Sequence, residues 1–347
     1  MKMKRLIQLM TLVALLLTTA ACQQEEDSTL GKAKVTFIAE LPDLPSKLDS
    51  RAIGDGDFAN ELFLWVYDED GREIQGLRQQ NVDFQGNVAY VSVYLTPGHT
   101  YSFAFWAQHK DITTYVPGNS VIQMYYRGVK CNDETRDAFW NWIPNLEVSV
   151  AGEITQNIIL VRRLSQVNCG ITNQAYLEAK AAGVDLRDYD SELRLVSSGE
   201  EPLAYTSFDV VNGAPVLNDE DSWVYNLKFT KDVMPNEPLR IGNTSYMYLA
   251  LSYFQPRVDA YTIGDATLIL HHKLGLKPDI TYTWSNARFK GNYRTNLLIR
   301  SLTEGVKFDV IIDQNFANSD YNYDTDGNPL NNGSGDGSDN GSNNGND

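Results

Sequence analysis

Metal sites and nucleophiles are built mainly from histidine, cysteine and carboxylates, and this chain of 347 residues has only four histidines and three cysteines. His271 and His272 are adjacent, so in a strand they face opposite ways and cannot chelate one ion together. His99 falls in a turn and His109 just past a strand, both solvated positions. Cys131 and Cys169 have no histidine near them in sequence to act as a base. No HExxH, phosphate loop, dinucleotide glycine pattern or nucleophile elbow occurs. Asp324-Thr325-Asp326-Gly327-Asn328 imitates the start of a calcium loop, but its twelfth position is Gly335, not a carboxylate. The residues therefore point to no catalytic centre, no metal and no cofactor. Aromatics are plentiful at 11%, with 19 tyrosines, and Phe139-Trp140-Asn141-Trp142 is the most suggestive cluster. Exposed indoles stack on sugar rings, which makes Trp140 and Trp142 candidate glycan contacts. Aromatics also fill sandwich cores, and both readings stay open.

The third cysteine, Cys22, closes a different pattern. Lys2, Lys4 and Arg5 precede the mostly apolar run Leu6–Leu17, followed by small residues up to Ala21. The run is too short for a spanning helix and reads as a cleaved export signal over residues 1–21. A cysteine at the cleavage point after Ala20-Ala21 resembles a bacterial lipoprotein signal. That resemblance implies lipid attachment at Cys22 and an anchor in the outer membrane. Gln23-Gln24-Glu25-Glu26-Asp27 opens an acidic linker over 22–32 and resembles the export tag that carries lipoproteins of Bacteroides-type bacteria to the cell exterior.

Formal net charge is −16. Losing residues 1–21 removes three cations and no acid, leaving −19. Such a chain repels phosphate backbones, so nucleic acid is excluded as a partner. Export would expose Cys131 and Cys169 to an oxidising compartment, where they either bridge or remain separate buried thiols.

Short strands separated by glycine and proline turns organise the rest. Ala33–Leu41 alternates, with Val35, Phe37, Ala39 and Leu41 on one face. Pro42, Pro45 and Gly54 then break the chain around Ser50-Arg51-Ala52. Leu62–Tyr67 ends at the turn Asp68-Glu69-Asp70-Gly71. Asn87–Leu95 reads as a strand with a change of face after Tyr90, and Thr96–His99 turns it into Tyr101–Ala107. Asn145–Val150 and Gln156–Val161 are expected to pair across Ala151-Gly152. Leu164–Ile171 leads to one short helix over Gln174–Ala182, capped by Asn173 and stopped at Gly183. More strands run from Glu192 to Leu298, and Val306–Ile312 is the last. From Asn318 the Asn/Asp/Gly/Ser composition predicts a disordered tail over 318–347. The expected fold class is all-β, a sandwich arrangement.

Five landmarks then resemble the fimbrillin-like surface lipoproteins of Bacteroides-type bacteria. They are Leu95-Thr-Pro-Gly98 with Tyr101 and Phe105-Trp106-Ala107-Gln108; Asp137-Ala138-Phe139; Leu160-Val-Arg162-Arg163-Leu-Ser165-Gln166-Val167-Asn168; Tyr248-Leu249-Ala250 with Tyr253; and Asn292-Tyr293-Arg294-Thr295-Asn296 with Leu302-Thr303. The resemblance spans roughly 33–316. It implies two transthyretin-like, Greek-key β-sandwich domains, over 33–164 and 165–317. It also implies a non-enzymatic subunit or accessory of surface fimbriae acting in adhesion. Partners would be other fimbrial subunits or further copies of itself, joined by strand exchange, and a surface glycan or protein. In polymerising relatives an arginine-specific protease removes the first strand, and a strand of the next subunit fills the groove. Here Ala33–Leu41 is the removable strand, Arg51 the maturation site and Val306–Ile312 one candidate donor. A protein keeping its first strand would be a capped anchor or a monomeric glycan-binding surface lipoprotein.

Overall fold

The computed structural model describes residues 31–42, 58–235, 238–241 and 244–301, and three later strands at 307–314, 320–323 and 329–330. The sequence's period of two becomes alternating burial. β1 (Ala33–Glu40) buries Ala33, Val35, Phe37 and Ala39 and leaves Lys34, Thr36, Ile38 and Glu40 half-buried. β2 (Glu61–Tyr67) is buried along its whole length, because a separate core lies on each of its faces.

The first half continues with β3 (Gln79–Gln85), β4 (Val88–Leu95), β5 (His99–Gln108), β6 (Tyr115–Pro117), β7 (Val121–Met124), β8 (Phe139–Val148), β9 (Gly152–Ile159) and β10 (Val161–Arg162). Eight of these strands hydrogen-bond in the order β10-β8-β5-β2-β3-β4-β1-β9. β3 is the fold line, since Val82 and Asp83 pair with β2 while Phe84 and Gln85 pair with β4. The two leaves so formed share a core that includes Val35, Phe37, Leu64, Val91, Phe103 and Phe105.

The second half contains β11 (Ser165–Thr172), α1 (Asn173–Ala181), β12 (Tyr189–Ser197), β13 (Ala204–Tyr205), β14 (Ser207–Asp209), β15 (Ala214–Pro215), β16 (Trp223–Val224) and β17 (Asn226–Val233). It ends with β18 (Pro238–Ile241), β19 (Thr244–Phe254), β20 (Thr262–His272), β21 (Ile280–Phe289), β22 (Tyr293–Ser301), β23 (Lys307–Gln314), β24 (Asp320–Tyr323) and β25 (Pro329–Leu330). Two larger sheets result, β18-β19-β11-β22-β23-β24-β25 and β17-β12-β20-β21. The halves are not independent. β7 pairs with β14 through Ile122 and Phe208, and the second core also takes in Phe63, Trp65 and Trp106 from the back face of β2 and β5.

Several expectations need correction. β4 shows no change of face: Ala89, Val91, Val93 and Leu95 point inward, and Tyr90 and Tyr94 are exposed. β8 and β9 do not pair with each other. β8 stays beside β5, while β9 crosses to the other leaf and runs parallel to β1. The helix is capped by Thr172, whose hydroxyl accepts the Ala175 N–H at 3.1 Å. Past Asn318 the described residues comprise β24 and β25, which lie beyond β23 in the same sheet.

Candidate functional site

β1 is the element that the proposed assembly chemistry would act on. It lies between β4, to which it is antiparallel, and β9, to which it is parallel. All eight of its residues have partners on both flanks, from Ala33 opposite Leu95 and Gly152 to Glu40 opposite Val88 and Ile159. The ladders run on past its end, where Leu41 N–H donates to Asn87 O at 2.9 Å and Leu160 N–H to Glu40 O at 2.8 Å. Phe37 anchors it. Its ring centroid lies 4.6 Å from that of Phe103 and 5.1 Å from that of Phe105, the latter edge-on. On the outer face Thr36 Oγ1 meets Ser92 Oγ at 2.8 Å, and Lys34 Nζ lies 3.9 Å from Glu153. Full burial of Val35 and of Phe37 contributes roughly 1.5–3 kcal/mol each. Without β1, the facing edges of β4 and β9 would carry unpaired backbone groups above an apolar floor, a template for another strand.

Cys22 and Arg51 lie outside the described residues, as do the export signal and the run at Asp324–Asn328. The chain between Leu41 and Phe58 contains Arg51 and joins β1 to β2. The donor candidate, read as Val306–Ile312, corresponds to β23, which is paired with β22 on one side and β24 on the other.

Trp140 is a core residue. It is 7% exposed, its indole N–H donates to Val210 O at 2.7 Å, and the Arg163 guanidinium stands 4.2 Å over its ring. Gly213, with φ +61°, packs against the ring edge, where any Cβ would collide with it. That leaves no open ring face for a sugar, so Trp140 is withdrawn as a glycan contact. Trp142 is half-buried, with its ring edge-on to Tyr67 at 5.4 Å.

Four of the five landmarks are tied together by buried polar contacts, and the first closes a turn of its own. The turn before β5 is closed by Tyr101, whose hydroxyl donates to Thr96 O at 3.1 Å, and by Gly98, whose φ of 84° suits glycine. Asp137 and Arg162 form an ion pair with only 2% of each side chain exposed. Arg162 Nε contacts both carboxylate oxygens, at 3.0 and 2.8 Å, and Nη2 lies 2.6 Å from Oδ2. Burial pushes the Asp137 carboxyl up, and Arg162 opposes that shift. Below it, Asn168 Oδ1 accepts from Gln166 Nε2 at 2.9 Å and from Tyr248 OH at 2.8 Å, while Asn168 Nδ2 donates to Asn296 Oδ1 at 2.9 Å. This network ties β11 to β19 and β22. Sequence reasoning missed Arg136. It is 1% exposed, its guanidinium lies 5.6–5.8 Å from the rings of Tyr115, Tyr126 and Phe229, and no local pattern announces it.

Cys131 and Cys169 are free, buried thiols. Burial pushes Cys131 up to about 12 and Cys169 well above its ordinary value, so neither is poised as a nucleophile. His271 Nδ1 lies 2.8 Å from Asp279, and the His272 ring packs edge-on against Tyr189 at 5.1 Å. Among the described residues no group of three or more His, Cys, Asp or Glu could hold a metal ion, and no helix is long and apolar enough to cross a membrane.

A family model described as a family of unknown function (DUF6562) matches residues 26–333. No curated protein matches the chain in sequence. Similar solved structures include a proposed cell adhesion protein from Bacteroides ovatus, with 11% identity, a TM-score of 0.48, and coverage of 82% of this chain and 98% of that one. The tip fimbrial protein Mfa3 from Porphyromonas gingivalis is similar at 12% identity and a TM-score of 0.43, covering 82% and 99% of the two chains. The fimbrial anchor protein Mfa2 from the same organism is similar at 12% identity and a TM-score of 0.42, covering 81% and 97%.

Proposed function

The chain belongs to the DUF6562 family of unknown function, and we propose that it is a non-enzymatic surface lipoprotein, a fimbrial subunit or accessory component working in adhesion. In this reading Cys22 carries a lipid that holds the protein in the outer membrane, facing the cell exterior. Cleavage after Arg51 then releases β1 together with its lipid, and a strand from another subunit takes its place, so that the subunit is held by its neighbour. The observation that carries the reading is the position of β1: the first described strand, paired on both flanks and seated by Phe37, joined to β2 through the chain that contains Arg51. The sequence landmarks support the family resemblance, and the Asp137–Arg162 and Asn168–Asn296 contacts give them a structural reason.

A second reading is favoured by a different observation. β23 is enclosed by β22 and β24, so it donates to a neighbour only by leaving its own sheet. A chain that keeps β1 and β23 in place is a capped anchor or a monomeric, glycan-binding surface lipoprotein. Brief treatment of the soluble mature chain with an arginine-specific protease separates the two. A new N-terminus at Ala52 together with a ladder of multimers on an unboiled denaturing gel supports strand exchange. A cut without a ladder refutes the polymerising reading and leaves the capped one.

A further inference from the structure

At the far end of the β12–β20–β21 sheet the fold leaves a cavity of about 430 Å³, formed by none of the residues of the β1 slot. Its lining includes Ser198, Glu201, Arg257, Tyr261, Thr262 and Asn286. Asp265 pins two of its walls together, accepting the Ser198 hydroxyl at 3.0 Å and the Asn286 backbone N–H at 3.0 Å. At the same point the β20–β21 register slips between Gly264 and Ala266, and Asn286 adopts a φ of 57°. A bulge of this kind re-aims side chains, and a left-handed asparagine is held only where its surroundings fix it. A third wall is set by Ser197, whose hydroxyl donates to Glu201 O at 2.7 Å and Gly199 O at 3.2 Å.

The polar groups are of mixed kind. Arg257 is gripped by Asp259, Nε to Oδ1 at 3.0 Å and Nη2 to Oδ2 at 2.8 Å, and its Nη1 lies 3.7 Å from Glu201. Thr262 also lines the cavity, but at 3% exposure its Oγ1 is buried away from the opening. Tyr261, 40% exposed, has Lys290 Nζ 5.5 Å over its ring and Tyr293 edge-on at 5.8 Å, and supplies its remaining aromatic surface to the cavity.

We propose that this cavity binds a neutral mono- or disaccharide. Its volume sits in the lower part of the range for small-molecule sites, roughly 300–1,000 Å³. A sugar ring presents hydroxyls that both donate and accept, which Glu201, Arg257 and Asn286 answer, and an apolar C–H face that suits the open part of Tyr261. An anionic sugar does not fit. The charge of Arg257 is already taken up by Asp259 and Glu201, and Glu200 also lines the cavity. The proposal deepens the adhesive part of the reading above and rests on it only for its biological setting.

The test is saturation-transfer NMR on the soluble mature chain with methyl α-mannoside, N-acetylglucosamine, lactose and cellobiose, and with sialyllactose as the anionic probe. Signal is expected from at least one neutral probe and not from sialyllactose. Arg257→Ala and Tyr261→Ala should each weaken affinity about tenfold or more, the effect of losing a charge-assisted hydrogen bond or a ring contact. Glu201 is 74% exposed on its side chain, so Glu201→Gln keeps the fold and should weaken binding too, whereas Trp142→Ala should not. Silence from all four neutral probes, or unchanged signals in all three cavity variants, overturns the proposal. The multimer ladder is read on the unmutated chain alongside: no sugar signal with a ladder condemns the cavity alone, and sugar signal without a ladder condemns strand exchange alone.

Discussion

Replacing Phe37 with alanine tests the β1 slot most directly. The ring is fully buried, touches Phe103 and Phe105, and sits in the middle of a strand paired on both sides. The two flanking ladders prevent the backbone from closing over the void, so the cost should reach the usual Phe→Ala range of about 3–5 kcal/mol. Urea unfolding of the soluble mature chain, followed by tryptophan fluorescence, should then show a midpoint lower by ~1 M or more. The same comparison after arginine-specific cleavage and release of β1 supplies the control. Wild type and variant are then the same polypeptide, and their curves should coincide. A loss in the intact chain below ~1 kcal/mol would refute the packing argument, and a difference that survives cleavage would show that β1 does not leave.

Three further outcomes follow from the buried groups. Arg162→Leu leaves the Asp137 carboxylate buried without its partner and should cost about 3–5 kcal/mol, while Asp137→Leu combined with Arg162→Leu should cost markedly less; equal losses in thermal melts would refute the pairing. Burial pushes Tyr67, Tyr115 and Tyr282 up to about 12 from an ordinary 10.0. The unfolded chain therefore sheds these protons first, and stability should fall as pH rises from 10 towards 12. Tyrosinate absorbance should lag for this group and rise together with loss of circular dichroism, and early titration of every tyrosine with the fold intact would contradict it. In the soluble mature chain, which starts after Cys22, Cys131 and Cys169 should resist a thiol reagent in the native protein near neutral pH, and two thiols per chain should react in denaturant without reductant. A count of zero in denaturant would mean a bridge.

What could be read from the residues alone was what depends on local pattern. The β1 alternation sets its own burial, and the expected and observed strands differ by one residue, Leu41. The Asp68–Gly71 turn closes as expected, with Gly71 at a φ of 75°. Pairing was legible only where neighbours in sequence are neighbours in the sheet. A turn at Ala151-Gly152 suggests a hairpin, but the parallel partner of β9 lies more than a hundred residues earlier, and no spacing rule encodes such a crossing. Tyr90 misled because a large aromatic suggests the inside, while the small Ala89 is what fits beneath the sheet. Trp140 illustrates the same limit from the other side: Val210, 70 residues on, and Gly213 cover it from the second half of the chain, and no local pattern encodes that contact. The Asn168–Asn296 bond joins residues 128 apart, so its members are recognisable as landmarks long before their connection is.

The double embrace of β1 has a mechanical consequence. A pull on the residues before Ala33 acts along the strand axis, parallel to β9 and opposed to β4. The flanking bonds then lie across the line of force and are loaded together in shear. A strand pulled out sideways at one end would instead lose them one at a time. Any strand that occupies this slot, whether the chain's own or a neighbour's, inherits that loading. If the N-terminus is anchored as proposed, drag on the protein would be carried by a whole ladder at once.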